Sequence, residues 1–109
     1  MSLREVDHEL ERLRERYREK FERELELLAE QLREAERAGY GRPQLEAIRG
    51  LAHRLMGTSG SYGLEASSAA LARMEEGLER LLDAAEVEVG VAWPEIESDL
   101  AAARAGLKE

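Results

Sequence analysis

The sequence contains no cysteine and only two prolines, and aromatic residues make up 5% of its 109 residues. The absence of cysteine excludes disulfide bonds, thiolate metal sites and cysteine nucleophiles. Too little of the chain shows the β-branched alternation that a sheet requires, whereas Ala, Leu, Glu and Arg dominate the composition. A chain of this length is large enough for one modest core and too short for two. We therefore expect one all-α domain over residues 1–109, with its core over about residues 17–107.

Basic residues are in the minority, since 16 Lys and Arg stand against 24 Asp and Glu and the formal net charge is −8. An acidic domain repels nucleic-acid backbones and anionic lipids, and the four arginines between Arg12 and Arg18 have glutamates beside them at Glu11, Glu15 and Glu19. We therefore expect neither a nucleic-acid partner nor a membrane partner. No apolar run approaches the roughly 20 residues that cross a bilayer, and no signal-peptide pattern is visible, which favours the cytoplasm.

Apolar residues spaced by three and four positions predict four helices, and hence an antiparallel four-helix bundle with a long N-terminal helix. The predicted helices cover about Leu3 to Ala38, Pro43 to Gly60 and Leu64 to Ala85, and the fourth opens at Trp93-Pro94. Residues 86–92 alternate valines with other residues, but without a partner strand they are interpreted as a connecting loop.

The first predicted helix is longer than a bundle of this size can cover, because its residues would span about 54 Å at 1.5 Å per residue. Two arrangements remain open. Either the helix breaks near Glu19–Phe21, or its first half projects and packs elsewhere, for example in a homodimer through the N-terminal helix.

One histidine lies among glycines in the second predicted helix. Three glycines, Gly50, Gly57 and Gly60, fall within eleven residues, and each costs a helix about 1 kcal/mol relative to alanine. On a helical wheel centred on Ile48, five residues lie within roughly 60° and predict a core stripe: Leu45, Leu51, Ala52, Leu55 and Ser59. His53 lies about 140° from Ile48. The imidazole is therefore predicted to point away from the core, beside positions that carry no side chain. This arrangement would expose a reactive nitrogen to a bulky partner.

The segment Ala52-His53-Arg54-Leu55-Met56-Gly57-Thr58-Ser59-Gly60-Ser61-Tyr62-Gly63-Leu64 resembles the signature of histidine phosphotransfer (HPt) domains. The family pattern is roughly A-H-x-L-K-G, followed by small residues, an aromatic or aliphatic residue, glycine and an apolar residue. The flanking helices agree with the family too, including a Leu-rich third helix that contains Glu75 and Glu79.

The resemblance implies a four-helix bundle that carries a phosphoryl group on His53 in a multistep phosphorelay. The donor would be a receiver-domain aspartate or a sensor kinase, and the acceptor a downstream receiver. Partners would be receiver domains of response regulators or hybrid histidine kinases. Such a module is a carrier, not an enzyme, and needs no cofactor of its own, because the receiver supplies Mg²⁺. A neutral imidazole suits this role, since its unperturbed pKa of about 6.5 leaves a free nitrogen near pH 7.

Met56 departs from the family pattern, which usually has lysine at this position. A lysine there would stabilise the phosphorylated state and help to hold the partner, whereas methionine carries no charge. Arg49, one turn before His53, is a candidate substitute, and Gly57, Gly50 and Gly60 are expected to give access. Packing at the edge of the core is the alternative interpretation of Met56.

Two rival functions stay open at this point. One is an HPt-like adaptor that binds a receiver or another helix without phosphotransfer, and the other is a structural or dimerisation module built on the first helix. A metal site is not expected, because no histidines or carboxylates accompany His53 at ligand spacing. His8 lies among charged residues and is interpreted as a surface residue.

Overall fold

The computed structural model describes residues 2–83 and 89–108. These residues form four α-helices, which are α1 (Leu3–Arg37), α2 (Arg42–Ser61), α3 (Glu65–Asp83) and α4 (Val89–Ala105), and a short 3₁₀ turn at Gly106–Lys108. No strand occurs within those two ranges. The prediction of an all-α four-helix bundle is confirmed.

Helix α1 does not break near Glu19–Phe21. It begins at a capping box in which Ser2 Oγ accepts from the Glu5 backbone N–H and the Glu5 side chain accepts from the Ser2 backbone N–H. This arrangement satisfies backbone donors that a helix N-terminus leaves unpaired. Side chains of α1 become buried only from Phe21 onward, so the first half of the helix projects beyond the bundle. The projection that the second arrangement predicts is therefore confirmed, whereas the packing of this half against another surface stays a prediction.

The core is a single cluster to which all four helices contribute, and α3 lies at its centre, packed against both α2 and α4. On α2 the buried set equals the predicted stripe: Leu45, Ile48, Leu51, Ala52, Leu55 and Ser59. Helices α3 and α4 approach closely at Gly77, where an added Cβ would lie 3.1 Å from Ile96 Cγ1. Tight backbone approach of this kind is a common reason for glycine inside a helix.

The turn between α1 and α2 uses left-handed backbone conformations at two successive residues. Gly39 has a φ of 76° and Tyr40 a φ of 60°. The left-handed conformation is unfavourable for a residue with a side chain. At Tyr40 this cost is offset by packing of the ring. The Tyr40 ring meets the buried Trp93 edge-on with centroids 4.9 Å apart. The Trp93 indole N–H also donates to Glu36 Oε1 at 2.6 Å, so α4 is held to the last turn of α1 as well.

The predicted start of the fourth helix was wrong. Helix α4 begins at Val89, four residues before Trp93, and Pro94 lies inside it. Residues 89–92 are therefore helical, not the loop that was predicted, whereas residues 86–88 lie outside the described residues. Proline lacks the N–H that would bond to the Gly90 carbonyl, but the extra turn brings Val89 against the core. This contact stabilises the extra turn through tertiary packing, which the local sequence preference of proline does not predict.

Candidate functional site

His53 lies in the middle of α2 on its exposed face. Its side chain is 66% exposed, and its Nδ1 lies 2.8 Å from Oε1 of Glu75, whose side chain is 17% exposed. Glu75 belongs to α3, so the contact bridges the two helices that pack most extensively against each other. The core stripe of α2 holds one face of the helix against α3, and this packing brings the carboxylate within reach of the imidazole.

The contact with Glu75 determines which nitrogen of a neutral His53 is free. An ionised carboxylate can only accept hydrogen bonds, so Nδ1 must carry the hydrogen. The lone pair then resides on Nε2, which is the nitrogen available for reaction. The pair therefore presents an oriented nucleophile on a largely exposed ring, with a negative charge behind it.

At two glycines near His53, no neighbouring atom among the described residues would prevent a larger side chain. Alanine Cβ atoms built at Gly50 and Gly57 meet nothing within 4 Å, because both positions face open space. Gly60 differs, since its added Cβ would lie 3.3 Å from Ser68 Oγ. Gly60 therefore serves the contact between α2 and α3, whereas Gly50 and Gly57 leave helix backbone uncovered on the exposed face that also carries His53.

Met56 is half-buried and packs against the core. Its backbone carbonyl accepts two hydroxyl hydrogen bonds, from Ser59 Oγ at 3.0 Å and from Ser68 Oγ at 2.9 Å. The second bond ties α2 to α3 one turn after His53. This environment agrees with packing at the edge of the core and brings no positive charge to the site.

The two arginines nearest to His53 in the sequence lie in different surroundings. Arg49 is half-buried one turn before His53. Arg54 is exposed and faces α1, where its Nη2 lies 3.9 Å from Glu24 Oε2. A pair at that distance and exposure contributes little to stability. Arg49 remains the candidate for a positive charge beside the histidine.

Glu75 is the residue to which sequence reasoning assigned no role. The sequence placed it in a Leu-rich helix that resembles the third helix of the family, but it did not distinguish Glu75 from Glu76 or Glu79. Only the packing of α3 on α2 selects one carboxylate for the imidazole. Within residues 2–83 and 89–108, no group of three His, Asp or Glu side chains is arranged to hold a metal ion.

The model of the Hpt domain family matches residues 3–106, which is nearly the whole chain. No curated protein and no solved structure matches the sequence. In the part of the chain that the structure describes, no helix has the length and apolar character required to cross a membrane.

Proposed function

Because this chain belongs to the Hpt domain family, whose members are phosphotransfer modules of two-component signalling, we propose that it carries a phosphoryl group on Nε2 of His53. It receives the group from a receiver-domain aspartate or a sensor kinase and passes it to a downstream receiver. The observation that supports this most directly is the exposed imidazole whose Nδ1 lies 2.8 Å from Glu75 Oε1.

The transfer step balances without a proton leaving or entering. Nε2 attacks the phosphorus of the aspartyl phosphate, the P–N bond forms, and the bond from phosphorus to the aspartyl oxygen breaks. The aspartate leaves as a carboxylate, and His53 becomes a phosphorylated imidazolium that keeps its hydrogen on Nδ1. Glu75 then faces a positive ring, and this charge-assisted hydrogen bond is stronger than the bond to the neutral ring. Glu75 therefore stabilises the product of phosphorylation.

The receiver supplies the remaining chemistry, including Mg²⁺ and the cations that neutralise the transferring phosphoryl group. The part of this chain is positioning and access. At Gly50 and Gly57 the helix surface carries no side chain and no neighbour, so a receiver can bring its own backbone close to His53. Arg49 is the candidate for an additional positive charge next to the phosphoryl group.

The decisive experiment is phosphoryl transfer from a panel of phosphorylated receiver domains, followed by intact mass spectrometry. The wild-type chain is compared with His53→Gln and with His8→Gln, which removes the other histidine, on the exposed part of α1. We expect one acid-labile, base-stable phosphoryl group on the wild type and on His8→Gln, and none on His53→Gln.

The same mixtures test the adaptor, which Met56 favours because it replaces the usual cation of the family pattern. Binding of each receiver is measured by calorimetry alongside the transfer. The adaptor function would be supported over the carrier function by two results together. The folded wild type takes up no phosphoryl group, and it binds a receiver with the same affinity as His53→Gln. Phosphorylation of His53→Gln would assign the group to another residue.

A further inference from the structure

The projecting half of α1 exposes four apolar side chains, Leu3, Val6, Leu10 and Leu13, which we call the N-terminal stripe. The stripe is continuous with the core face of α1 through the half-buried Tyr17. Leu3 is 85% exposed and Leu13 is 53% exposed. A contiguous apolar patch of this kind on a polar helix is typical of an interaction surface.

The stripe ends in a groove at the end of the bundle. The groove has a volume of about 710 Å³ and lies between α1 and the turn that joins α2 to α3. Its apolar lining comes from Leu10, Leu13, Tyr17, Tyr62 and Leu64. The rings of Tyr17 and Tyr62, which both line the groove, stack with centroids 3.8 Å apart. Arg14 and Arg18 line the same groove. The stripe and the groove thus form one continuous surface with apolar and basic parts, and His53 is not among the residues that line the groove.

Charges beside the stripe change sign along the helix. At about 100° per residue, Asp7 and Arg14 flank one side of the stripe, and Glu9 and Arg16 flank the other. On both sides the acidic residue comes first and the basic residue follows two turns later. If the helix is paired with an antiparallel copy of itself, each of these acidic residues lies opposite a basic residue of the partner.

We propose that the stripe and the groove bind the same surface of a second copy of this chain, with the two α1 helices antiparallel. Leu10 of each copy packs against the partner's Leu13, and Val6 packs against the partner's Tyr17 at the groove. The flanking pairs are Asp7 with the partner's Arg14 and Glu9 with the partner's Arg16. The two-fold axis repeats each of these contacts, so the surface is self-complementary as a symmetric dimer requires.

The antiparallel direction follows from charge and from the shape of the molecule. In a parallel pair only Glu9 would meet an opposite charge, the partner's Arg14, because parallel helices pair the two different flanks of the stripe. The antiparallel pair matches all four flanking residues. It also places the two bundles at opposite ends of the paired helices. This separation reduces the electrostatic repulsion between two chains that each have a net charge of −8. Burial of the stripe drives association, and the flanking charges select the orientation.

The dimer is tested by sedimentation velocity of the full chain over a concentration series. Leu10→Asp places a carboxylate in the stripe, and Leu27→Asp is a matched control, because both leucines are 46% exposed but Leu27 lies on the part of α1 that joins the bundle. We expect the wild type and Leu27→Asp to dimerise and Leu10→Asp to raise the dissociation constant about tenfold or more. Circular dichroism checks that both variants keep their helices. A wild type that stays monomeric at every concentration, or equal weakening by both variants, overturns the proposal.

Charge reversal tests the orientation. Arg14→Glu places like charges opposite Asp7 and weakens the dimer, and the double variant Asp7→Arg/Arg14→Glu restores the attraction in an antiparallel pair. In a parallel pair the double variant stays weak, because Glu9 still meets the reversed position 14. Failure of the double variant to recover the wild-type dissociation constant overturns the antiparallel arrangement. The inference does not depend on phosphotransfer, since His53→Gln is expected to dimerise like the wild type.

Discussion

Glu75 lies on α3 and His53 on α2, and Oε1 of Glu75 is 2.8 Å from Nδ1 of His53. The imidazole remains 66% exposed, so the carboxylate orients the ring without covering it. The proposed carrier function requires this combination, because the nucleophile of a carrier must be both oriented and accessible to a protein partner.

Replacing Glu75 by glutamine tests this relationship. Glutamine keeps an oxygen acceptor near Nδ1 but removes the charge that faces the phosphorylated imidazolium. We expect the equilibrium for phosphorylation of His53 to become about fivefold less favourable, since an exposed pair contributes up to about 1 kcal/mol. The equilibrium is measured as the phosphorylated fraction at fixed ratios of phosphorylated receiver. Glu76→Gln is the matched control, and an equal effect from both variants would show that only the general negative charge of α3 matters.

Alanine at Gly57 separates stability from partner access. Because an added Cβ meets nothing within 4 Å, Gly57→Ala should stabilise the fold by about 0.5–1 kcal/mol in urea unfolding. The same variant should lower kcat/KM for transfer from the receiver, because the methyl group occupies the surface on which the partner docks. Gly60→Ala is expected to gain less stability, since its Cβ would lie 3.3 Å from Ser68 Oγ. A Gly57→Ala variant with unchanged transfer would contradict the access role.

Lysine at Met56 restores the usual residue of the family pattern. Met56 is half-buried at the edge of the core, so the lysine stem can pack there while the ammonium group reaches solvent. We expect the phosphoryl group on His53 to survive longer in Met56→Lys, measured as the half-life of phosphohistidine by intact mass. Met56→Leu keeps the packing without the charge and should behave like the wild type. Equal phosphohistidine half-lives in Met56→Lys and Met56→Leu would show that a positive charge at position 56 does not stabilise the phosphoryl group.

Tyr17 predicts a loss of stability at high pH. Burial, assisted by the charge of Glu24 and by Tyr62, raises the pKa of Tyr17 from 10 to about 12. The folded state therefore holds the phenolic proton more tightly than the unfolded state. Its contribution to stability is complete below pH 10 and disappears as the pH rises through about 12. Urea unfolding over this range should show a smaller decline for Tyr17→Phe than for the wild type.

The Tyr17→Phe variant has a second expected effect. The Tyr17 hydroxyl is buried without a hydrogen-bond partner among the described residues, and leaving such a group unpaired is costly. Tyr17→Phe should therefore be neutral or stabilising at pH 7, whereas Tyr62→Phe, at a more exposed ring, should change little. A clear loss of stability in Tyr17→Phe at pH 7 would mean that the hydroxyl has a partner in solution.

The α2 stripe shows how far local pattern reaches in this chain. Leu45, Ile48 and Leu55 follow the helical period, and the side chains predicted to be buried are the ones that the structure buries. Pattern failed at the start of α4, where Trp93-Pro94 suggested a beginning and the helix starts at Val89. A proline signal reports backbone preference alone, whereas the extra turn depends on the contact of Val89 with the core.

The sequence by itself determined that there are four helices, the core face of α2 and the family, because these follow from the period of apolar residues and from one short motif around His53. Only the tertiary structure decided that α1 continues unbroken past Glu19 and that Glu75 is the carboxylate that meets the imidazole. The contact of Glu75 with His53 depends on where α3 lies against α2. His53 and Glu75 are 22 positions apart in the sequence, whereas local side-chain patterns on a helix relate residues three or four positions apart, so no local pattern encodes this contact.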